Sequence, residues 1–571
     1  MLYPEYLRIE LSQALTNLIN NVGLDSKEII LPNFNVEVSN NIKFGDLSSN
    51  IAMVSAKVLK QSPEYIANFI SEYFNKNKFI LKIEIIKPGF INFFFKDEFW
   101  HQQLKILIGK KKNNYNLIKK KICVEFVSAN PTGLMHIGHA RGAVLGDALC
   151  NILEEVGHDI SREYYINDAG EQIKKLQRTI EFHQSKKEKS KQNSMPNDLY
   201  PGDYLKFITN LLNKELNENS NDHAKITKDK IVDAIMRDIK IDLKFLNVNH
   251  DNFVSEKKIA SKKSVKNLQD KLKDLDLTYY GYQEKPKNLS YSEWEKEEHL
   301  IFKSKKFGDD SDRALIKHNG ELTYFMSDIL YHQNKLDRKF DVLINIWGAD
   351  HFGYVKRIKS VLSAINKNIN YEFQVKLTSM VNLLRKKEKI KMSKRSGNYI
   401  TMREVLKEFG PDILRFMMIS RSAEKNIDFD YDLLIKKSKD NPVFYIQYAY
   451  ARCSSILNAS KSKFKLIEKK GYNLKYLVLN EEKMIIKFLC NIYNIIKLSA
   501  ENYEPHRISN YLYELSKIFH NYWGLGNLDV DKRVINDDEN TTIARLVLVR
   551  ELRKIIKKSL DILKIESPEN M

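Results

Sequence analysis

The chain has 571 residues, 43% of them hydrophobic, and a formal net charge of +20 at pH 7, which is three or four domains' worth of sequence with enough apolar material for real cores. No run of eighteen apolar residues and no charged-then-apolar leader occurs, so a soluble, cytoplasmic protein is expected, and Cys123, Cys150, Cys453 and Cys490 are too scattered for disulfides or zinc and read as buried small hydrophobes. The excess of Lys and Arg fits a polyanionic partner through counterion release, but lysine runs such as Lys186 to Lys191, set among Asn and Ile, produce the same excess with no RNA bound.

Residues 1–105 read as a unit of their own. Leu7 to Val22, Leu47 to Leu59 and Pro63 to Phe74 carry apolar residues at helical spacing, and Ile83 to Phe95 reads as two short strands around Lys87-Pro88-Gly89. Phe44-Gly45-Asp46-Leu47 is expected to lead into the second helix with Asp46 as its N-cap. Most of Phe90, Phe93, Phe94 and Phe95 are expected to be core.

Lys121 to Val127 is apolar and β-branched enough for a buried parallel strand, and it stops at the loop-formers Ser128, Ala129, Asn130, Pro131, Thr132 and Gly133. A helix is expected from about His139, with Leu145, Ala148, Leu149, Ile152, Leu153 and Val156 on one face and Gly157 as a left-handed stop. Strand, tight loop and helix leave unpaired N–H groups and a positive dipole end at the loop, where α/β folds seat phosphates. His136 and His139 lie there one turn apart and can donate to phosphate oxygens, and Gly138 between them removes the side chain that would hold a nucleotide off. A cap or a packed imidazole remains the plainer reading of either histidine, and an i, i+3 pair could be half a zinc site, although no Cys, Asp or Glu completes one at ligand spacing.

Glu163 to Asp168 is expected to be the next strand, continuing a βαβ order. Insertions follow at about 183–230 and 255–310, the first lysine-rich on the surface over 183–200, the second helical and irregular. Arg313 to Lys317 and Leu322 to Phe325 flank Asn319-Gly320 as a hairpin, and Tyr324 and Asp328 fall four apart on one face at a helix start. Asp341 to Trp347 reads as a buried strand ending in Gly348-Ala349-Asp350-His351. From Asn441 onward the pattern is helical, with clear faces over Asn510 to Tyr522 and Ile543 to Leu563 and with Arg545, Arg550 and Arg553 expected on the polar sides.

His136-Ile137-Gly138-His139 resembles the HIGH signature of class I aminoacyl-tRNA synthetases, and Lys391-Met392-Ser393-Lys394-Arg395-Ser396-Gly397 resembles their KMSKS loop. Neither motif is specific alone; the pair, in this order and about a Rossmann domain apart, is. Ser128 to Gly133, Asn167-Asp168-Ala169-Gly170 and Asn441 to Ala449 narrow the resemblance to the arginyl-tRNA synthetase family, over nearly the whole chain. The resemblance implies an α/β class I Rossmann-type catalytic domain with a parallel sheet (106–435), flanked by a small N-terminal α+β domain (1–105) that touches tRNA and an all-α C-terminal anticodon-binding domain (436–571).

It also implies chemistry. The carboxylate of arginine attacks the α-phosphorus of ATP, brought with Mg2+, and a ribose hydroxyl at the tRNA 3′ end then takes the arginyl group. His136, His139, Lys391 and Lys394 are the expected catalytic residues, and Gly138, Gly348, Asp350, His351, Met392 and Ser393 the expected ATP contacts. Ser128, Asn130 and His139 fall where the family holds the amino acid's head group, and Tyr324, Asp328 and Glu125 supply groups for its guanidinium. Tyr445, Gln447, Tyr448 and Arg452 are candidate anticodon contacts, with Tyr445, Tyr448 and the neighbouring Tyr450 each equally readable as core. No resident metal and no zinc are expected, and the partners are L-arginine, ATP and tRNA(Arg), with no membrane and a monomeric chain. Where many relatives lack the KMSK lysine and carry one before HIGH, this chain keeps KMSK and has Gly133 and Leu134 there, so Lys391 and Lys394 are expected to carry the role. Another class I synthetase, a nucleotidylyltransferase and a non-catalytic RNA-binding relative remain the alternatives; the helical C-terminal region opposes the second and retention of both motifs the third.

Overall fold

The computed structural model describes residues 3–23, 32–39, 44–110, 115, 117–188, 196, 198–200, 203–219, 226–283, 297–366, 369–386, 388–389, 400–436, 438, 440–463 and 471–571.

In the N-terminal unit, helix Tyr3–Asn21 buries Leu7, Leu11, Ala14, Leu15 and Leu18 along one face. It packs with helices Ile51–Leu59 and Pro63–Phe74 against a four-stranded antiparallel sheet. The expected helix over Leu47 to Leu59 is split: Leu47–Ser49 is a strand paired with Ile91–Phe93, and the helix begins only at Ile51. Tertiary pairing overrides the local apolar period there. Asp46 accordingly caps no helix. Its carboxylate accepts the Phe95 N–H at 2.6 Å and pairs with Lys487 of the C-terminal region. Phe93 and Phe95 are core, while Phe90 is 41% exposed.

The central sheet is five parallel strands: β1 (Lys121–Glu125), β2 (Asp159–Ile166), β3 (Asn252–Ser255), β4 (Val342–Gly348) and β5 (Glu372–Thr378), in spatial order 5-4-1-2-3. β1 pairs with β2 from Lys121 opposite Asp159 to Glu125 opposite Glu163, and with β4 on its other side. Its interior strand is buried on both faces, as parallel strands are. The direction in which successive strands are added to the sheet reverses between β1 and β4, and the carboxyl ends of these two parallel strands form the crevice where open α/β sheets bind ligands. β1 ends two residues earlier than expected, because Val127 and Ser128 take left-handed φ values of 72° and 39°.

Helix α1 (Ile137–Glu155) follows β1, starting two residues before the expected His139 with His136 as its N-cap. Gly146 lets it lie flat on the strand: a Cβ there would sit 2.2 Å from Cγ of Phe126. Helix α2 (Gly170–Glu188) runs through part of the segment expected as surface insertion, and β3 leads into the one-turn helix α3 (Glu256–Ile259). The second insertion is more regular than expected, since Thr278–Tyr282, Glu298–Phe302 and Arg313–Ile316 form a three-stranded antiparallel sheet. The expected hairpin around Asn319-Gly320 shrinks to one bridge, Ile316 with Leu322, because Thr323 caps helix α4 (Tyr324–Asp337) and takes Phe325 out of the strand. Helix α5 (Phe352–Ile365) follows β4.

Helix α6 (Met402–Met418) is kinked at Gly410 (φ 76°), ahead of Pro411. Four longer helices complete the chain: α7 (Pro442–Ala459), α8 (Asn480–Glu501), α9 (His506–Leu528) and α10 (Glu539–Leu563). Arg545 does not lie on a polar side: it is 3% exposed, pairs with Glu482 at 2.6 Å and donates to the carbonyls of Asp531 and Arg533. Tyr450 is core. All four cysteines are buried and unbridged, as expected. Among the described residues no helix is long and apolar enough to cross a membrane.

Candidate active site

The loop and helix after β1 build one wall of the crevice. The Gly138 N–H donates to Nδ1 of His136 at 3.1 Å, and the His136 N–H donates to Nδ1 of His139 at 3.2 Å. The two rings stack with centroids 3.8 Å apart and planes within 15°. With both Nδ1 atoms accepting, each neutral ring carries its proton on Nε2, so the pair presents N–H donors beside the positive end of α1. Gly138 is exposed, and a Cβ there would stand 3.0 Å from Cε1 of His136, so glycine is what permits the imidazole to fold back.

The residues between β1 and α1 are tied to the residues after β2. The Tyr164 hydroxyl donates to the Ala129 carbonyl at 2.8 Å, Asn167 donates to Oδ1 of Asn130 at 2.6 Å, and Ser128 Oγ accepts the Tyr165 N–H at 3.1 Å while donating to Glu125. Asp168 reaches the other way, accepting the Ser255 hydroxyl at 2.6 Å and the Lys257 N–H at 2.9 Å. It thereby pins the start of α3 and the position of Glu256.

These contacts border a cluster of acidic side chains at the ends of β1, β2 and β3 and on α4. Glu125 is buried and its charge has a partner: Oε2 lies 2.6 Å from Nζ of the fully buried Lys335. Lys335 also donates to Asn345, Asn345 bonds Nε2 of His332, and Nδ1 of His332 bonds the Asp328 carbonyl at 2.7 Å. Burial and Lys335 push His332 down to about 3, so it works in this chain as a neutral donor and acceptor. Asp328 and Glu256 differ from Glu125: among the described residues neither has a Lys or Arg at ion-pairing distance. Burial, opposed by the Tyr354 hydroxyl bond and reinforced by the charges of Glu125 and Glu256, pushes the Asp328 carboxyl up to about 7. Burial raises Glu256 too, against a bond from Ser327, and its Oε2 has no hydrogen-bond partner. The buried Tyr165 hydroxyl, equally without a partner, feels Glu256, Asp328, Glu125 and Asp168 at once. Tyr324, on the same face of α4 as Asp328, is exposed and places its hydroxyl near Gly170.

Gly348, Asp350 and His351 stand at the end of β4 across the crevice, the latter two exposed and 3.6 Å apart. The expected catalytic Lys391 and Lys394, with Met392 and Ser393, lie outside the described residues. Where the chain resumes, Thr401 forms a β-bridge with His136 and the Met402 N–H donates to the Met135 carbonyl at 2.9 Å. Thr401 and Met402, at the start of α6, are thereby held directly beside the imidazole pair. Among the described residues no group of three or more His, Cys, Asp or Glu could hold a metal ion.

In the C-terminal region, Arg452 donates to the Tyr448 hydroxyl at 2.8 Å and lies 4.4 Å over the Tyr448 ring and 4.9 Å from the Trp523 ring, with His520 bonded to its other nitrogen. Tyr445 packs 4.3 Å from the same histidine. Gln447 faces away from this cluster, bonding Asp412 and the Glu566 carbonyl, so it joins α7 to α6 and to the tail instead of lining an aromatic surface. Glu256, Asp168, Lys335 and Tyr354 were not among the expected site residues. Ser255-Glu256 at a strand end was the available signal for the first, hidden by reading 255–310 as an insert.

Three family descriptions match the chain: "Arginyl tRNA synthetase N terminal domain" over 5–95, "tRNA synthetases class I (R), catalytic domain" over 102–426 and "DALR anticodon binding domain" over 446–571. An arginine–tRNA ligase of Wolbachia pipientis subsp. Culex pipiens is 42% identical over 549 residues, 94% of this chain and 95% of that protein. The corresponding ligase of Orientia tsutsugamushi is 38% identical over 99% of both chains. The solved Thermus thermophilus arginyl-tRNA synthetase superposes with a TM-score of 0.76 over the whole of both chains at 19% identity, which speaks for the fold. With the paired imidazoles and the acidic cluster at one strand-end crevice, the chain belongs to the arginyl-tRNA synthetase family of class I synthetases.

Proposed function

We infer that the chain carries out its family's reaction, ATP-dependent ligation of L-arginine to tRNA, with the residues of the crevice in the following roles. The observation that carries the assignment is the buried Glu256 and the half-buried Asp328, left without cationic partners among the described residues beside the unpartnered Tyr165 hydroxyl. A planar cation with five N–H donors answers both carboxylates at once, whereas an ammonium cannot span two acceptors in fork geometry. Tyr324 closes the guanidinium end. Ser128, Asn130 and His139 take the head group, and Glu125, already neutralised, orients Ser128 and forms the floor. Across the crevice Gly138, Gly348, Asp350, His351, Met392 and Ser393 bound the ATP site, into which Mg2+ comes with the nucleotide.

The carboxylate oxygen of arginine then attacks the α-phosphorus in line with the leaving pyrophosphate. Charge grows on the α-phosphoryl oxygens, where the Nε2–H donors of His136 and His139 at a helix N-terminus act on the transition state more than on the ground state. Lys391 and Lys394 neutralise the departing pyrophosphate. A ribose hydroxyl of the terminal adenosine of tRNA next attacks the arginyl carbonyl and AMP leaves. Tyr445, Tyr448 and Arg452 offer stacking faces and a guanidinium to anticodon bases. The units run 1–105, 106–435 and 436–571, the chain works as a monomer, and its place is the cytoplasm with its tRNA.

Asp328→Asn is expected to raise KM for arginine in ATP–pyrophosphate exchange on the order of a hundredfold, and Glu256→Gln about tenfold, with KM for ATP unchanged in both. Equal KM for arginine in wild type and Asp328→Asn contradicts the assignment.

A further inference from the structure

Asp328 has a partner from outside its own helix that the reaction chemistry above does not use. Tyr354 lies on α5, one turn after His351, and its hydroxyl donates across the crevice floor to Oδ2 of Asp328 on α4. Its ring is held on three sides: Trp347 at 6.0 Å, Phe325 at 6.3 Å and the Arg357 guanidinium at 6.0 Å. Arg357 in turn faces, with its Nε 3.5 Å away, the Asp309 carboxylate that also binds Arg313 at 2.9 Å. The phenol therefore cannot swing away without breaking this packing. Burial and the adjacent Asp328 charge raise its own ionisation far above neutrality, so it can only donate.

We propose that Tyr354 is the positioning residue of the arginine pocket: by donating to one oxygen of Asp328 it fixes the carboxylate plane, leaving the other oxygen to the guanidinium. The proposal rests on the reading that Asp328 takes the guanidinium. The groups facing Asp328 make the role necessary. Glu125 on β1 and Glu256 on α3 oppose its ionisation, Lys335 on its own helix favours it but is spent on Glu125, and Tyr165 on β2 brings a neutral hydroxyl without a partner. Tyr354 is thus the neighbour that favours the carboxylate by direct contact. Without it the carboxyl keeps its proton to higher pH and its plane is free to turn.

The test is calorimetric binding of L-arginine to the full-length protein between pH 6 and 8.5, for wild type, Tyr354→Phe and Asp328→Asn, with melting temperatures as the check on folding. Tyr354→Phe is expected to bind about tenfold more weakly at pH 7, with the acid limb of binding moved up by about one pH unit, so that the deficit narrows toward pH 8.5. Asp328→Asn is expected to bind weakly throughout, with no such limb. If Tyr354→Phe weakens binding equally at every pH, or leaves it unchanged while Asp328→Asn abolishes it, the positioning role is wrong and the pocket assignment stands. If Asp328→Asn binds arginine as wild type does, the pocket assignment falls and this inference falls with it.

Discussion

At the scale of single residues, the crevice holds carboxyl charge at a cost. The Asp328 carboxyl, ordinarily at 3.8, is pushed up to about 7 by burial first and by Glu125 and Glu256 second. A carboxyl whose folded value is raised stabilises the fold while protonated. That contribution is complete below about pH 4 and is lost as pH rises through about 7. Asp328→Asn, which cannot ionise, is therefore expected to melt roughly 2 °C above wild type at pH 8 without arginine. The gap should close toward pH 5, and scanning calorimetry at the two pH values checks it. Such tension is what a binding site retains when its ligand supplies the missing cation. The sequence showed Tyr324 and Asp328 because a four-residue spacing on a helix places both on one face, whatever the tertiary fold. It could not show Glu256, whose position depends on Asp168 reaching 87 residues along the chain to Ser255. Nor could it show that Gln447 turns toward Asp412 and away from the aromatic cluster, since helix rotation is set by what packs against it.

At the scale of elements, α1 does most to place the chemistry. Its N-terminus presents His136 and His139, and its middle is clamped on all sides. Arg141 donates to the carbonyls of Ser379, Met380 and Ser422, and bonds that of Lys425 as well. Asp147 meets Arg415 of α6 and Lys564, both at 2.6 Å, and Arg415 also donates to the Leu563 and Leu246 carbonyls. A fully buried arginine with each of these acceptors in place fixes how α1, α6 and the end of α10 sit together. The contact of Gly146 with Phe126 is the most direct lever on this arrangement. Gly146→Ala is expected to cost about 1–3 kcal/mol by overpacking and to lower kcat for pyrophosphate exchange more than it changes KM, because the imidazole pair moves with the helix. Gly142→Ala on the same helix, where a Cβ meets nothing within 4 Å, should instead hold or raise the melting temperature, since Ala favours a helix interior by up to about 1 kcal/mol over Gly. Helices with long apolar periods were legible, among them Pro63–Phe74 and the terminal pair, because packing only had to confirm the pattern. The strand Leu47–Ser49 and the sheet inside the second insertion were not, since short strands owe their existence to a partner strand that local periodicity does not contain.

At the scale of the whole molecule, the two ends of the chain close on each other. The Tyr3 hydroxyl donates to the Lys487 carbonyl at 2.8 Å, Lys487 pairs with Asp46, Lys483 lies 2.9 Å from Asp97, and His101 bonds the Leu477 carbonyl at 3.1 Å. The N-terminal unit is thus docked on α8, which itself belongs to the helical region carrying the Arg452 cluster, while the tail after α10 is bonded to α6 through Asp412. Thr401, the N-cap of α6, is bridged to His136. Arrangement at this scale was legible only as an order of units, since Asp46 and Lys487 are separated by 441 positions and neither carries a local signal of the other. The same topology converges on one reaction: a crevice built for a guanidinium and an imidazole pair at a helix end, with the start of α6 bridged to it, should activate arginine and nothing else. ATP–pyrophosphate exchange measures this directly, with arginine, lysine or glutamine, with and without total tRNA, for wild type and Lys394→Ala. Exchange is expected with arginine when tRNA is supplied, none with lysine or glutamine, and a loss on the order of a hundredfold or more in Lys394→Ala. Exchange with lysine or glutamine, no exchange with arginine and tRNA, or an unchanged rate in Lys394→Ala would contradict the assignment.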